Sequence, residues 1–404
     1  MEKKRKINKS MINICLLLSL LLFIFYLFSD IIYAPLTKKT GTERKVNDTR
    51  YILQWTKSDT LPFKFMGKGR EIFLKSHCPV NNCFITHDRN VKNIADFDAI
   101  LFHGPEINRE KLPLPHKRST DQLYVFVSME SAHYYPINDK KYDYFFNWTW
   151  TYKLNSDLYY GYLIIRDKNN TVIGPRQEMQ WLNVEEMDPL DDMLKEELNE
   201  KNLAAAWIVS NCNTPGKREE YVKEMQKELK KHNMTVDIYG KCGRDECAYE
   251  SDKCTSKVKK FYYFYLSFEN SFSEDYVTEK LLTGLLNNAV PVVYGGANYS
   301  RFLPKDAYLN ARELGVQELV RKMVEAIKNK EKYHAYFKWR KHYSYHYVEE
   351  SSETNYYCQL CSKINELNNK MINEENSATV KIYENFRNWW NNPKSQKLRS
   401  ITQY

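Results

Sequence analysis

The sequence lacks the short motifs that mark several large classes of enzyme. Its nine histidines form no HExxH motif, so a metallohydrolase is not supported. A GxSxG nucleophile elbow and a phosphate-binding P-loop are also absent, which argues against the serine hydrolases and the P-loop nucleotide hydrolases. Internal repeats, low-complexity segments and an aromatic–basic nucleic-acid module are not evident either, and we predict no nucleic-acid partner.

The composition is that of a large folded protein. The chain has 404 residues, of which 43% are hydrophobic and 14% aromatic. This length favours two or three domains, and this composition argues against global disorder. The net charge of +9 lies partly in the first ten residues, and an anionic small substrate explains the rest as well as a membrane surface does. The charge therefore does not discriminate between partners.

The N-terminus reads as a membrane anchor. A basic tail (1–10) precedes an apolar run (11–34), which is long enough for the ~20 residues that a bilayer requires. Basic residues hold the tail in the cytosol and place the rest of the chain in the lumen. A cleaved signal peptide is the alternative, but the apolar run is too long for one and lacks a good cleavage site. A polar stem follows at 35–50.

Cysteines and glycosylation sequons fit a luminal location. Of the nine cysteines, eight lie beyond the predicted anchor, and an even number in an oxidising compartment indicates disulfides. A zinc site at the CxxC pair is disfavoured because no second CxxC completes it. The disulfide candidates are Cys78, Cys83, Cys212, Cys242, Cys247, Cys254, Cys358 and Cys361. The five N-glycosylation candidates are Asn47, Asn147, Asn169, Asn233 and Asn298.

The luminal part reads as two α/β halves. Residues 51–188 contain short strand-like runs, such as 99–103 and 123–129, separated by polar turns. A charged connector at 185–202 marks the boundary. A βαβ series follows, with strands predicted at 204–209, 235–239 and 264–268 and helices at 218–232 and 316–329. We place the second domain at 189–365 and a C-terminal segment at 366–404.

One block carries most of the functional information. Residues 261–311 contain a strand that ends in FENS, a turn that leads into YVTEK at the start of a helix, and a second strand with PVVYGG. A helix N-terminus and an early lysine suit a diphosphate. This FENS…YxTEK…PVV pattern resembles the donor-binding signature of the α1,3-fucosyltransferases, glycosyltransferase family 10.

Further stretches extend the resemblance over nearly all of residues 50–392. They include VFVSMESAHYY at 125–135, where Ala132 stands for the family's usual proline, NWTWTYKLNSDLYY at 147–160 and WIVSNCNTPGKREEY at 207–221. The resemblance implies a GT-B-like fold of two Rossmann-type domains facing a cleft. The sequence alone supports two α/β domains with an N-terminal transmembrane helix.

Sugar transfer from a nucleoside diphosphate requires a base and charge stabilisation for the departing diphosphate. The candidate base is Glu130, at the end of an apolar strand, although an N-cap or ion-pair role would also explain a carboxylate there. Arg218 and Lys280 are candidates for the diphosphate, with Lys217 as a rival for Arg218. The other donor-binding candidates are Asn270, Tyr276 and Glu279, with Ser273 in the same loop.

The motif Asp96-Phe97-Asp98 matches the DxD pattern of metal-dependent glycosyltransferases. It precedes a strand in the first half of the chain, away from the donor signature, where such residues more often form a turn. We therefore predict no metal ligand in this chain and no obligatory cofactor. Stimulation by Mn²⁺ that screens released GDP is compatible with this prediction.

The resemblance also bears on the disulfides. GT-B chains often return their C-terminal segment to the first domain, which favours long-range pairing of Cys78 and Cys83 with Cys358 and Cys361. Such bridges would close very long loops and stabilise by about 4 to 5 kcal/mol in the loop-entropy model. Local Cys78–Cys83 and Cys358–Cys361 bridges are the alternative. The remaining four cysteines would then pair within the second domain.

The function implied by the resemblance is inverting transfer of L-fucose from GDP-fucose to O3 of N-acetylglucosamine in a glycoprotein glycan. The cysteine-rich insert at 239–254, YYCQLC and NWW are more similar to the branch that acts on the innermost N-glycan residue. A Lewis-type enzyme acting on N-acetyllactosamine and a non-catalytic, membrane-tethered glycan-binding protein are the alternatives. The implied location is the Golgi membrane, in type II orientation, and a homodimer is left open.

Overall fold

The computed structural model of the chain describes residues 36–37, 48–56, 58–109, 113–243, 252–373 and 381–391. The predicted cytosolic tail (1–10) and transmembrane anchor (11–34) lie outside these residues, as does most of the stem. Among the helices of the described ranges, none combines the length and the apolarity that a membrane span needs.

The first α/β unit is built on a parallel sheet. Its elements are β1 (Leu36–Thr37), β2 (Arg50–Gln54), α1 (Phe63–Met66), α2 (Glu71–Lys75), β3 (Cys83–Thr86), β4 (Ala99–His103), α3 (Gly104–Arg109), β5 (Arg118–Ser119), β6 (Leu123–Ser128), β7 (Trp148–Thr151) and β8 (Leu158–Tyr159). Six of these strands form the sheet in the order β3-β2-β4-β6-β7-β8, all parallel. The central strand β6 is buried along its whole length because both faces of the sheet are covered.

The second α/β unit has the same architecture. The elements that follow β8 are β9 (Leu163–Asp167), β10 (Val172–Gly174), α4 (Asp192–Asn199), β11 (Leu203–Ile208), α5 (Arg218–Lys230), β12 (Val236–Tyr239), α6 (Asp252–Phe261), β13 (Tyr262–Phe268), α7 (Glu279–Leu286), β14 (Val290–Tyr294), β15 (Leu309–Asn310), α8 (Ala311–Lys328), α9 (Lys330–Ala335), β16 (Tyr343–Tyr347), α10 (Tyr356–Asn373) and α11 (Phe386–Asn391). The sheet order is β12-β11-β13-β14-β15, again all parallel. The prediction of two α/β units is confirmed.

The packing departs from the predicted boundary at residue 188. Strands β9 and β10 form a small antiparallel sheet with β16 from the other end of the second unit. Leu163 and Ile165 of β9 share a core with Leu281 and Leu282 of α7. In return, α10 packs on the first unit, where Leu360 and residues around it join the core beneath β2. The two units therefore exchange segments, which a boundary read from local composition does not reveal.

The disulfides reinforce this exchange. Cys78 is bonded to Cys358 and Cys83 to Cys361, across 280 and 278 residues of sequence. This is the long-range pairing, and the CxxC pair forms no bridge within itself. These two bridges, called the α10 bridges below, attach α10 to the first unit. A third bridge joins Cys212 and Cys242 within the second unit.

Two cysteines remain, and only one of them lies in the described residues. Cys254 is also disulfide-bonded, whereas Cys247 lies outside the described residues.

Candidate active site

The loops that follow β6 and β13 meet at the carboxyl ends of the two parallel sheets. Glu130 lies in the first loop, which contacts the signature loop of the second unit through several hydrogen bonds that involve side chains. The hydroxyl oxygens of Ser131 and Ser271 lie 2.5 Å apart, and the backbone N–H of His133 donates to Ser273 Oγ at 3.0 Å. The carboxyl ends of strands are where ligands bind in open α/β sheets. The candidate base of one unit is thus held against the signature of the other.

Glu130 has the environment of a carboxylate base. Its side chain is half-buried, and Tyr276 Oη donates to its Oε2 at 3.3 Å. Burial raises the pKa of Glu130, partly offset by the positive charge of Lys280 and by the Tyr276 hydrogen bond, while Glu279 raises the pKa further. A raised carboxylate pKa improves a general base near neutral pH.

Lys280 stands at the centre of a compact ionic cluster at the start of α7. Its Nζ lies 2.8 Å from Thr278 Oγ1, 2.9 Å from Glu279 Oε1 and 3.4 Å from Glu269 Oε2. Burial lowers the pKa of Lys280, but the Glu269 and Glu279 carboxylates outweigh it and hold that pKa well above its ordinary value. The lysine is therefore a permanent cation, and its side chain is only 19% exposed.

Glu269 belongs to the ionic cluster of the candidate site, and sequence reasoning did not single it out. Its side chain is 2% exposed, and it accepts hydrogen bonds from the backbone N–H of Thr278 at 2.9 Å and from the Thr278 hydroxyl at 3.0 Å. Burial raises its pKa, opposed by Lys280. The signal was present in the FENS motif, because a carboxylate that directly follows an apolar strand requires a buried partner.

Tyr276 is buried beside Glu130 in the structure. Its side chain is 2% exposed, so the ring lies behind Glu130 and does not offer a surface to a nucleotide. The predicted contact of Tyr276 with the donor base or ribose stays a prediction, and the hydrogen-bond partner that the structure shows for its hydroxyl is Glu130. Glu279 is more accessible, with 23% of its side chain exposed.

Arg218 is also buried, at 3% exposure. Its Nη1 donates to the carbonyl of Phe268 at 2.6 Å and its Nη2 to that of Asn211 at 3.1 Å, so it joins the ends of β13 and β11. Its charge nevertheless acts on Lys280. The rival Lys217 is an exposed N-cap residue whose Nζ lies 3.7 Å from Glu220 Oε1. Both terminal nitrogens of Arg218 thus donate to backbone carbonyls in this structure, and its predicted contact with the diphosphate stays a prediction.

Two glycines allow the signature loop to pack closely. Asn270, which is half-buried, accepts a backbone hydrogen bond from Gly216 at 2.9 Å, and a Cβ on that glycine would lie 3.0 Å from the Asn270 carbonyl oxygen. A Cβ on Gly296 would lie 2.7 Å from the backbone nitrogen of Ser273, closer than real contacts allow. Glycine at both positions lets the loop approach its neighbours.

Comparisons with known proteins identify the family. Residues 47–163 match "Fucosyltransferase, N-terminal" and residues 198–389 match "Glycosyltransferase family 10 (fucosyltransferase) C-term". Alpha-(1,3)-fucosyltransferase C of Drosophila melanogaster is 32% identical over 87% of this chain and 80% of its own length. The chain belongs to the α1,3-fucosyltransferases of glycosyltransferase family 10.

This fucosyltransferase is also similar to glycoprotein 3-alpha-L-fucosyltransferase A of Drosophila melanogaster, at 30% identity over 81% of the chain and 58% of that protein. The mouse 4-galactosyl-N-acetylglucosaminide 3-alpha-L-fucosyltransferase 9 is 29% identical over 66% of each protein. A crystal structure of an α1,3-fucosyltransferase with GDP-fucose is 13% identical, with a TM-score of 0.46 over 88% of this chain and 99% of that structure.

The DxD motif of this fucosyltransferase serves the fold. Asp98 is buried, and its Oδ2 accepts the backbone N–H of Tyr51 at 2.8 Å at the start of β4. Asp96 Oδ2 accepts from the Asn93 side chain at 3.2 Å within a helical turn. In the part of the chain that the structure describes, no three His, Cys, Asp or Glu side chains are grouped as a metal site.

One glycosylation candidate, Asn147, is buried in the structure. The side chain of Asn147 is 2% exposed, accepts from Arg118 and from the backbone N–H of Tyr124, and donates to the carbonyl of Lys381 at 3.0 Å. A buried amide with these partners has no room for a glycan. The candidates with exposed side chains are Asn169, Asn233 and Asn298, and Asn47 lies outside the described residues.

Proposed function

We propose that this fucosyltransferase transfers L-fucose from GDP-fucose to O3 of N-acetylglucosamine with inversion at the anomeric carbon. The observation that carries the proposal is the meeting of the Glu130 carboxylate with the signature loop of the second unit. Glu130 takes the proton of the acceptor hydroxyl. The hydroxyl oxygen of the acceptor attacks the anomeric carbon of fucose on the face opposite the departing GDP. One displacement on a β-linked donor yields an α-fucoside.

Charge that develops on the departing diphosphate requires fixed positive groups, commonly the largest electrostatic contribution to catalysis. Lys280 supplies the principal charge, since its ammonium is held in place by Glu269, Glu279 and Thr278. The N-terminus of α7 adds backbone N–H groups and its dipole. Arg218 adds positive charge from behind the loop, and Glu279 is available to the hydroxyl groups of the donor. Asn270 borders the same space.

The proposed acceptor is the innermost N-acetylglucosamine of an N-glycan. The relative named glycoprotein 3-alpha-L-fucosyltransferase A supports this choice. The mouse relative, whose name specifies a galactosylated N-acetylglucosaminide, supports the Lewis-type alternative at nearly equal identity. The cysteine-rich segments, which resemble the branch that acts on the core glycan, favour the first.

The proposed location is the Golgi membrane, with the catalytic part in the lumen. The basic tail and apolar run at 1–34 support a type II orientation. The disulfides of the described residues agree with an oxidising compartment, where such bonds form and persist.

The test is to incubate the purified full chain with GDP-fucose and a panel of defined glycans, and to locate any added fucose by mass spectrometry and NMR. Transfer to O3 of the core N-acetylglucosamine is expected. Transfer confined to N-acetyllactosamine would establish the Lewis-type alternative. Binding of glycans without turnover or donor affinity would favour a lectin. GDP should also raise the thermal midpoint, and equal protection by UDP would contradict the guanine-nucleotide assignment.

A further inference from the structure

Three tyrosines hold consecutive parts of the segment 129–132, called the base loop below. Tyr162 Oη donates to the carbonyl of Met129 at 2.9 Å. Tyr276 Oη donates to Glu130 Oε2 at 3.3 Å. The backbone N–H of Ala132 donates to Tyr152 Oη at 3.0 Å. Met129, Glu130 and Ala132 are therefore each hydrogen-bonded to a different tyrosine.

These tyrosines come from separate parts of the chain but pack together. Tyr152 follows β7, Tyr162 precedes β9, and Tyr276 precedes α7 in the second unit. The ring of Tyr276 meets that of Tyr152 edge-on at a centroid distance of 5.0 Å and that of Tyr162 at 6.3 Å. Edge-to-face contacts at such distances stabilise and orient aromatic rings. The hydroxyl of Tyr276 is thereby held in one place.

We propose that Tyr276 is a positioning residue that orients the Glu130 carboxylate for proton removal, with Tyr152 and Tyr162 holding its ring and the base loop. The inference rests on the proposed function of Glu130 as the base. The hydroxyl of Tyr276 donates a hydrogen bond to Glu130 Oε2, and Glu130 Oε1 is the oxygen that takes the proton of the acceptor. Because Tyr276 belongs to the donor signature, the donor-side unit orients the base of the acceptor-side unit.

The electrostatics around Glu130 make this role measurable. The groups that face it are Lys280 and Glu279 from α7, and the three tyrosines. The Tyr276 hydrogen bond lowers the pKa of Glu130, so its removal raises that pKa. The base acts only when ionised, and the acid limb of the kcat profile therefore moves to higher pH. In unliganded enzymes such bonds are often long and tighten in the complex.

The experiment compares Tyr276→Phe with a matched control, Tyr333→Phe, in the full chain. The Tyr333 side chain is equally buried, and its hydroxyl donates to the carbonyl of Tyr263 at 2.7 Å. Tyr263 lies near the start of β13, about 17 Å from the end that carries the site, at ~3.3 Å per residue. Each variant loses one hydroxyl and keeps its ring.

For Tyr276→Phe we expect kcat to fall about tenfold or more, as loss of a hydrogen bond to a charged group does. The acid limb should move to higher pH, while KM for GDP-fucose stays unchanged and the control behaves as wild type. A raised KM for GDP-fucose with an unmoved pH profile would make Tyr276 a donor ligand and overturn the inference. Equal behaviour of the two variants would reduce Tyr276 to a packing residue.

Two further variants keep the test decisive. If Tyr276→Phe does not fold, Tyr152→Phe removes the acceptor of the Ala132 N–H, and it should lower kcat at unchanged KM for GDP-fucose; unchanged kcat would overturn the inference. Glu130→Gln tests the assignment of Glu130 as the base separately from the positioning role of Tyr276. An active Glu130→Gln would overturn the base itself, whereas an inactive one together with a wild-type profile in Tyr276→Phe would overturn only the positioning role.

Discussion

Replacing Lys280 by methionine should destabilise the protein as well as impair catalysis. The ammonium lies 3.4 Å from the Glu269 carboxylate and 2.9 Å from that of Glu279. At an effective dielectric constant of ~20, each contact is worth about 5 kcal/mol before desolvation is subtracted. Removing one partner of a buried ion pair costs about 3 to 5 kcal/mol, because the other charge remains buried. We expect that loss in the free energy of unfolding.

The loss of stability should depend on pH, because protonation of Glu269 removes its unpaired negative charge. Burial already raises the pKa of Glu269, and Lys280 opposes that rise, so the variant's folded pKa lies higher still. A carboxyl whose folded pKa exceeds its unfolded value destabilises above the folded pKa, and this penalty disappears as pH falls toward the unfolded value. The stability difference from wild type should therefore shrink on acidification.

The assay is unfolding, monitored by tryptophan fluorescence, at about pH 8 and at about pH 5.5. Glu269 of the variant binds more protons at the lower pH, so the difference between the unfolding curves of variant and wild type should change between these two pH values. A matched control is Lys217→Met, since Lys217 is exposed and pairs with Glu220 at 3.7 Å. Adding Glu269→Gln to Lys280→Met should restore much of the stability, because the amide oxygen still accepts from Thr278. A Lys280→Met protein as stable as wild type at both pH values, or no recovery in the double variant, would refute this account of the cluster.

Lys280→Met should also lower kcat/KM about 10²-fold or more, measured by steady-state fucosyl transfer, as loss of a charge-stabilising group commonly does. Glu130→Gln should abolish transfer and leave GDP affinity within about twofold by calorimetry, and loss of both would indicate a structural role. Removing one α10 bridge should lower the free energy of unfolding by about 2 to 3 kcal/mol, because the other bridge still closes the long loop. Removing both should lower it by about 5 kcal/mol more, and chemical denaturation measures both losses. Peptide mapping should find no glycan on Asn147 but glycans on exposed sequons, and a glycosylated Asn147 would contradict its burial.

Much of the fold could be predicted from local sequence patterns. The strand at 99–103 was predicted with the bounds that the structure has, and the strand at 123–129 ends one residue earlier, at Ser128. Such strands are recognisable because fully buried parallel strands are short continuous apolar runs between polar turns. The predicted helix at 316–329 corresponds to the second part of α8 (Ala311–Lys328), which follows a non-helical Gly315 with a φ of 70°. The order of motifs identified the family. Glu130, Glu279 and Lys280 could be selected as candidates from the sequence because each follows a recognisable strand or opens a recognisable helix.

The tertiary structure alone decided which of these side chains face each other. A tyrosine after an acidic turn has the same local signature whether it faces a nucleotide or lies behind a base, and only the packing against Tyr152 shows where Tyr276 lies. The burial of Asn147 likewise depends on Arg118 and on residue 381, which is distant in sequence. Local pattern follows the backbone periodicity, whereas the partner of a polar side chain depends on chain segments that meet only after folding. The exchange of β9 and α10 between the two units arises in the same way.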